Sequence, residues 1–212
     1  MGVRERRERE REQARETILG AARQLMREVG PSAVSLREVA RRAEYSPATL
    51  YEYFKDKEAI FLALFHEGFR RFGDALREVP TDLPADRQLA ALGRAYFLFA
   101  DANTQHYQVM FGEPVPGFCP TPEDWQAADA TFMVLYQCIA DGVATGVFRP
   151  MDPQATWMAA ITAWSLMHGI VTLAHAGRFG DYRHDPQFLD QALTFLWQGL
   201  RHPDLSDPEQ EA

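Results

Sequence analysis

The stretch Ser35-Leu36-Arg37-Glu38-Val39-Ala40-Arg41-Arg42-Ala43-Glu44-Tyr45-Ser46-Pro47-Ala48-Thr49-Leu50-Tyr51-Glu52-Tyr53-Phe54-Lys55-Asp56-Lys57 decides the fold, because it contains three helix starts in close succession. Ser35 with Glu38 three residues on has the form of a capping box: the Ser oxygen takes an orphan backbone N–H and the Glu carboxylate reaches back to the cap. Val34 and Val39 stand where an apolar staple fixes the angle at which the chain meets the helix. Leu36, Val39, Ala40 and Ala43 recur at helical spacing, so one face is buried and Arg37, Arg41 and Arg42 are left to solvent. Ser46-Pro47 opens the next helix, since Ser caps well and Pro at the first helical position forfeits no useful N–H. The short gap between the two helices is that of a DNA-reading helix pair. Asp56 caps a third start.

Composition permits this reading. With 212 residues and 46% hydrophobic content the chain can bury a sizeable core, in one large or two small domains. No run of about 18 apolar residues and no signal-like N-terminus is visible, so a soluble, cytoplasmic protein with no membrane partner is expected. Cys119 and Cys138 fit no metal or redox spacing and read as ordinary thiols. The net charge of −8 divides unevenly: residues 1–57 hold 13 Lys or Arg against 10 Asp or Glu, leaving 9 against 20 for the rest. The sign changes where the three-start stretch ends, so phosphate would repel the acidic body and attract the basic end.

Working outward, residues 1–16 interleave Arg and Glu and read as a charged arm, either mobile or a frayed helical extension, solvated or adding phosphate or minor-groove contacts. Ile18, Leu19, Ala22, Leu25, Met26 and Val29 form a helical stripe stopped by Gly30-Pro31, which completes a three-helix module over residues 17–56. Ile60, Phe61, Leu64, Phe65, Gly68, Phe69 and Phe72 mark a long connecting helix. Helices are expected next over 86–102 and 103–111, then a loop over 112–122. Three further starts read as a capping side chain followed by Pro: Thr121-Pro122, Asp152-Pro153 and Asp185-Pro186. Gly146, Gly177 and His202-Pro203 mark their ends. No stretch alternates as a strand does, so an all-α chain of about nine helices is predicted, with a helical bundle over 57–202 and a polar, mobile tail over 203–212.

Residues 18–64 resemble the N-terminal domain of the tetracycline-repressor (TetR) family of bacterial transcription regulators, through the Ile18–Val29 stripe, Ser35-Leu36-Arg37-Glu38-Val39-Ala40 and Leu50-Tyr51-Glu52-Tyr53-Phe54-Lys55-Asp56-Lys57-Glu58. Two positions depart from the family pattern: Glu44 replaces the usual turn Gly, and Tyr53 the commonest His. A positive φ at Glu44 would cost of order 1 kcal/mol, a negative one nothing. Trp164-Ser165-Leu166-Met167-His168-Gly169 is similar to a Trp…His-Gly signature of one regulatory-domain subgroup. The resemblance implies a homodimer whose third helices enter successive major grooves of a palindromic operator. It also implies a small-molecule effector, of unknown identity, that changes their separation from the C-terminal domain.

The residues suit those roles. Arg37 can read a guanine edge, and Pro47 and Ala48 at the tip of the third helix can meet a thymine methyl. Ser35, Ser46, Thr49, Tyr51, Tyr53, Lys55 and Lys57 supply hydroxyl and ammonium donors for phosphates. The bland alternatives are a solvated Arg37 and core tyrosines. Effector candidates are Phe69, Tyr96, Phe99, Asn103, Tyr107, Met110, Phe111, Trp125, Phe132, Tyr136, Trp164 and His168, with Gln105 and His106 as further polar anchors. Most such rings serve as bundle core, and an aromatic lining favours a flat or lipophilic ligand. His168 and His175 share a helical face but have no Cys or carboxylate at ligand spacing, so no metal is expected.

Leu166, Ile170, Leu173, Leu189, Leu193, Leu196 and Leu200 have the period of a four-helix dimer contact and equally of an intrachain core. No catalytic motif or cofactor signature is present, which leaves no catalytic residues to name and speaks against an enzyme. A purely structural helical protein fails to explain donors gathered at three helix starts. Within the regulator class, an activator, or a repressor without a small-molecule ligand, is the alternative.

Overall fold

The structure, a computed structural model, describes residues 2–112, 115, 117–180 and 186–201. The described residues form nine α-helices and one 3-10 turn: α1 (Val3–Val29), the 3-10 turn Pro31–Ala33, α2 (Leu36–Arg42), α3 (Pro47–Tyr53), α4 (Lys57–Arg77), α5 (Ala85–Ala102), α6 (Thr104–Phe111), α7 (Gln126–Ala144), α8 (Pro153–His175) and α9 (Pro186–Leu200). Extended pairing among them is limited to one isolated bridge between Phe148 and Arg201. The all-α architecture follows from the 3.6-residue periodicity of the apolar positions.

The chain divides into two compact units. One comprises residues 1–70 and 103–125, the other 71–102 and 126–212. In the first, α1 packs on α2, on the 3-10 turn and on α6, and α2 packs on α3. Its core is the buried stripe Ile18, Ala22, Leu25 and Met26 of α1 with Val39, Leu50, Phe54, Ile60, Phe61, Leu64, Phe65 and Phe69. Val34 and Val39, the predicted staple, are both buried. In the second unit α7 lies against α8 and α5, and α9 against α5. Two glycines set close approaches. A Cβ on Gly68 would stand 2.5 Å from the Met110 sulfur and 3.2 Å from His106 Cβ, so the Met110 and His106 side chains of α6 pack directly on the α4 backbone. A Cβ on Gly142 would collide with the Phe148 ring and with Ala85.

Caps decide most boundaries. Ser35, Ser46, Asp56 and Asp152 each accept the predicted N–H, from Glu38, Thr49, Ala59 and Ala155. The structure departs from expectation at several points. The Glu38 carboxylate pairs with Arg41 instead of closing the capping box. Arg42 is held by Glu28 rather than left to solvent, and that pairing lowers the Glu28 carboxyl below the ordinary range. Thr121-Pro122 does not start α7. Asp124 accepts from both the Thr121 N–H and its hydroxyl at 2.8 Å, which winds 122–125 into a turn, and the helix begins at Gln126. The Arg/Glu run is helical, forming the first half of α1. Asp185, His202-Pro203 and the tail lie outside the described residues.

α8 meets the length and composition of a membrane span, with 33% of its most apolar window buried. Its inner side carries Thr156, Ala160, Ala163, Met167, Ile170, Val171 and Ala174; its outer side shows Trp157, Met158, Leu166 and Leu173. Cys138 is buried with its thiol near the Ala85 carbonyl, and burial pushes its pKa up to about 12, whereas Cys119 is exposed.

Candidate nucleic-acid interface and ligand region

The first turn of α3 is built from its cap. Ser46 Oγ takes the Thr49 N–H at 3.0 Å and lies 2.8 Å from the Thr49 hydroxyl, which fixes the helix tip and leaves Pro47 and Ala48 exposed. A serine that accepts a capping bond still has its O–H to donate, so Ser35 keeps a donor for an outside oxygen, while the Ser46–Thr49 hydroxyl pair keeps one O–H between its two members. Arg37 stands exposed one residue into α2, and Tyr51 presents more than half of its surface to solvent, 57%. Lys55 is exposed. Tyr53 is half-buried, its ring 6.3 Å from that of Tyr45. The buried anchor beneath them is Leu50.

Lys57 is more constrained than its sequence context suggests. Its Nζ donates to the Ser32 carbonyl at 2.9 Å and lies 5.4 Å from the Phe61 ring centre, and partial burial lowers its pKa. One N–H is thereby spent on joining α4 to the segment before α2, and two remain. All ten predicted DNA contacts belong to the first unit, on α2, α3 and the start of α4.

Between α2 and α3, Glu44 has φ 60°, in the left-handed region. The Tyr45 N–H reaches the Ala40 carbonyl at 3.0 Å and the Glu44 N–H reaches Arg41 at 3.4 Å, the two bonds of a Schellman motif. The motif requires a left-handed residue there, so the cost of order 1 kcal/mol applies.

The twelve ligand candidates divide evenly between the two units. In the first, Trp125 meets Phe65 and Phe69 edge-on, with ring centres 5.1 and 6.2 Å apart, while Phe111 joins Phe69 and Tyr107. Met110 lies against Gly68, and the Asn103 carbonyl accepts the Tyr107 N–H at the start of α6. In the second, the Tyr96 hydroxyl approaches His168 Nδ1 at 3.5 Å, and Phe72 stands against both Tyr96 and Phe99. Phe132, Tyr136 and Trp164 gather around α8, with Phe132 and Tyr136 both against Trp157. Trp164 and His168 are ring neighbours at 6.1 Å, and burial lowers the His168 pKa.

Of the extra polar anchors, Gln105 accepts from Arg27 of α1 at 3.5 Å. His106 is buried with its Nε2 3.3 Å from a Glu67 carboxylate that also takes Arg23 at 2.8 Å. That His106 nitrogen makes no hydrogen bond.

Family models match at both ends of the chain. Residues 18–64 match the bacterial regulatory proteins of the tetR family, and residues 89–196 match the tetracyclin repressor-like C-terminal domain. The chain belongs to the tetracycline-repressor family.

It is therefore a helix-turn-helix transcription regulator and not an enzyme. Members of the family bind DNA and typically dimerise and bind small-molecule effectors. HTH-type transcriptional regulators of Mycobacterium bovis and Mycobacterium tuberculosis are each 29% identical over 150 residues, 68% of this chain and 64% of theirs, so the match spans less than two thirds of these relatives. An HTH-type transcriptional activator of Mycolicibacterium smegmatis is 28% identical over 102 residues, 48% of this chain and 47% of that one. A solved protein of unknown function from Rhodococcus sp. RHA1 superposes with a TM-score of 0.73 at 28% identity, covering 89% of this chain and 96% of that one. A tetR-family protein, also from Rhodococcus, gives 0.74 at 22% identity over 90% and 98%, a likeness of fold.

Phe72, Phe118 and Trp157, which stand outside the twelve effector candidates, belong to the same aromatic clusters. Trp157 lies seven residues before Trp164 on α8, and that spacing was a usable signal. The Glu67 and Arg23 partnership with His106 joins three helices distant in sequence and carries no local signature.

Proposed function

We propose that this regulator is a ligand-responsive repressor in the cytoplasm, which binds a palindromic operator as a homodimer and is released when a small lipophilic or aromatic molecule occupies its C-terminal domain. The observation that carries this reading is the α2–α3 surface. Arg37, Pro47, Ala48 and Tyr51 are exposed together on two short helices whose tips are locked by Ser35 and Ser46. In this reading Arg37, Pro47 and Ala48 read bases. Ser35, Ser46, Thr49, Tyr51, Tyr53, Lys55 and Lys57 hold phosphates and set the register. The DNA-binding domain is residues 17–56, and 57–202 carries effector binding and dimerisation.

The homodimer is supported by the outer faces of α8 and α9. Leu166, Leu173 and Phe195 are exposed on a single chain, Phe195 to 75%, while Ile170, Leu193 and Leu200 point inward. A second copy would cover those side chains, and a two-fold axis would give two recognition helices a fixed spacing. The aromatic clusters support a flat or lipophilic effector, with the Tyr96–His168 pair as a polar anchor.

The test is fluorescence anisotropy on DNA from upstream of the chain's own gene and on a scrambled duplex, across a salt series. Tyr51→Phe and Lys57→Ala should weaken both duplexes alike, Lys57→Ala with a salt slope smaller by about two units, about one for each subunit of the dimer. Arg37→Ala should cost about 1–3 kcal/mol on the specific duplex alone. Parent-like binding by all three variants sinks the assignment. An activator is the second reading, favoured by the activator among the relatives, and a reporter that falls rather than rises on deletion of the gene would select it.

A further inference from the structure

The first half of α1 has no packing role. Every residue from Arg4 to Gln13 is exposed, and the helix meets the body at Ala14, the first buried position. Six Arg and five Glu in residues 4–16 are sorted around that helix rather than evenly mixed. At about 100° per residue, Arg4, Arg7, Arg11 and Arg15 fall within about 80° of one another. Glu5, Glu8, Glu12 and Glu16 gather about a quarter-turn away. The arginine stripe is collinear with the stripe that α1 buries farther along, Ala14, Ile18, Ala22 and Leu25. Where the body ends, the inward side of the helix therefore continues as a cationic ridge about 16 Å long.

The base of that ridge is fixed next to the recognition helix. Arg15 donates to the Tyr53 carbonyl at 3.3 Å and lies 4.6 Å over the Phe54 ring, where α3 ends. Lys55 and Lys57 follow directly. Along the ridge Arg4 pairs with Glu8, whereas Arg7 and Arg11 have no carboxylate partner among the described residues. A helix stabilised for its own sake would spend these guanidinium groups on i,i+4 pairs, as Arg6 does with Glu10.

We infer that the N-terminal half of α1 is a second DNA-contacting element, whose Arg4–Arg7–Arg11 ridge lies along backbone phosphates of the duplex beside the site occupied by α3. This rests on α2–α3 being the duplex-facing end of the chain. The guanidinium fork suits phosphate oxygens, and the stripe carries no base-reading donor at a groove-entering tip, so its contribution is independent of sequence. It offsets the repulsion of a chain whose residues 58–212 hold 20 acidic against 9 basic side chains.

The test uses the full chain and the same two duplexes, specific and scrambled. Arg7→Ala combined with Arg11→Ala keeps or raises helicity, since Ala is the best helix former. The double variant should lose roughly tenfold or more in affinity for both duplexes, with a salt slope smaller by about four, because each of the two subunits loses two phosphate contacts and each contact contributes about 0.9. Arg7→Lys with Arg11→Lys should retain the slope. A double-alanine variant with the parent's affinity and slope overturns the inference while leaving the α2–α3 reading in place. A parent that binds neither duplex in a salt-dependent way overturns both. A changed oligomeric state with an unchanged slope assigns the ridge to protein contact and overturns it as well.

Discussion

The chain closes α2 and α8 with the same backbone bonds but different residues at the pivot. After α2, Tyr45 reaches back to Ala40 and Glu44 to Arg41, with Glu44 at φ 60°. After α8, Arg178 reaches back to Leu173 and Gly177 to Ala174, at 2.9 and 3.0 Å, with Gly177 at φ 68°. Glycine adopts this conformation without a steric cost, whereas a side chain crowds its own carbonyl. The bond pattern imposes the left-handed residue, and the side chain sets only the cost. The recognition-helix turn tolerates that cost because its surroundings over-determine it: Ser46 caps α3 two residues later and Leu50 is fully buried beneath.

The equivalence of the two turns can be broken most easily at the second. Gly177→Val should lower stability by about 1–2 kcal/mol, read as a lower thermal midpoint in far-ultraviolet dichroism, and an unchanged midpoint would mean that the α8 turn can rearrange. A smaller effect sharpens the other side: Ser46→Ala should cost about 1 kcal/mol and Ser46→Gly only a few tenths, because what is lost is the cap on the Thr49 N–H. Equal losses for the two variants would show that the hydroxyl is not the source of the stability. The smallest change is Glu44→Gly. Relief of about 1 kcal/mol is largely offset by the extra freedom of glycine in the unfolded chain, about 0.4–1 kcal/mol, so the midpoint should rise by a degree or so. A fall would show that the Glu44 side chain makes a favourable interaction in the native state.

Helix starts and glycine-marked helix ends were more legible in the sequence than ion pairs, for a physical reason. A cap is a local event: Ser35, Ser46, Asp56 and Asp152 each bond an N–H three residues away, so a short window contains both partners. Thr121-Pro122 carried the same signal and its cap bonds do form, the Asp124 N–H reaching the Thr121 hydroxyl oxygen and the Asp124 carboxylate taking the Thr121 N–H, but they close a turn and the helix begins only at Gln126. The capping box at Glu38 failed through competition from Arg41. At the Glu44 turn the departure from glycine was visible but the sign of φ was not, because the Schellman bonds that impose it are formed by the backbone whatever side chain stands there. Aromatic membership was half legible. Phe132 and Tyr136 sit one turn apart on α7, but their convergence on Trp157 is a tertiary fact. Periodicity places a ring on a face, and it does not say which ring will meet it.

The glycine at the α4–α6 crossing has a mechanical consequence. With Gly68 set against Met110 and His106, side chains of α6 rest directly on the α4 backbone, the flexible Met110 thioether nearest. A displacement of α6 at this crossing would be met first by the Met110 side chain and then by the α4 backbone. Three residues separate α3 from α4, and Arg27 of α1 meets Gln105 of α6. Gly68 is thus the point at which a displacement of α6 would first reach the helix that follows α3.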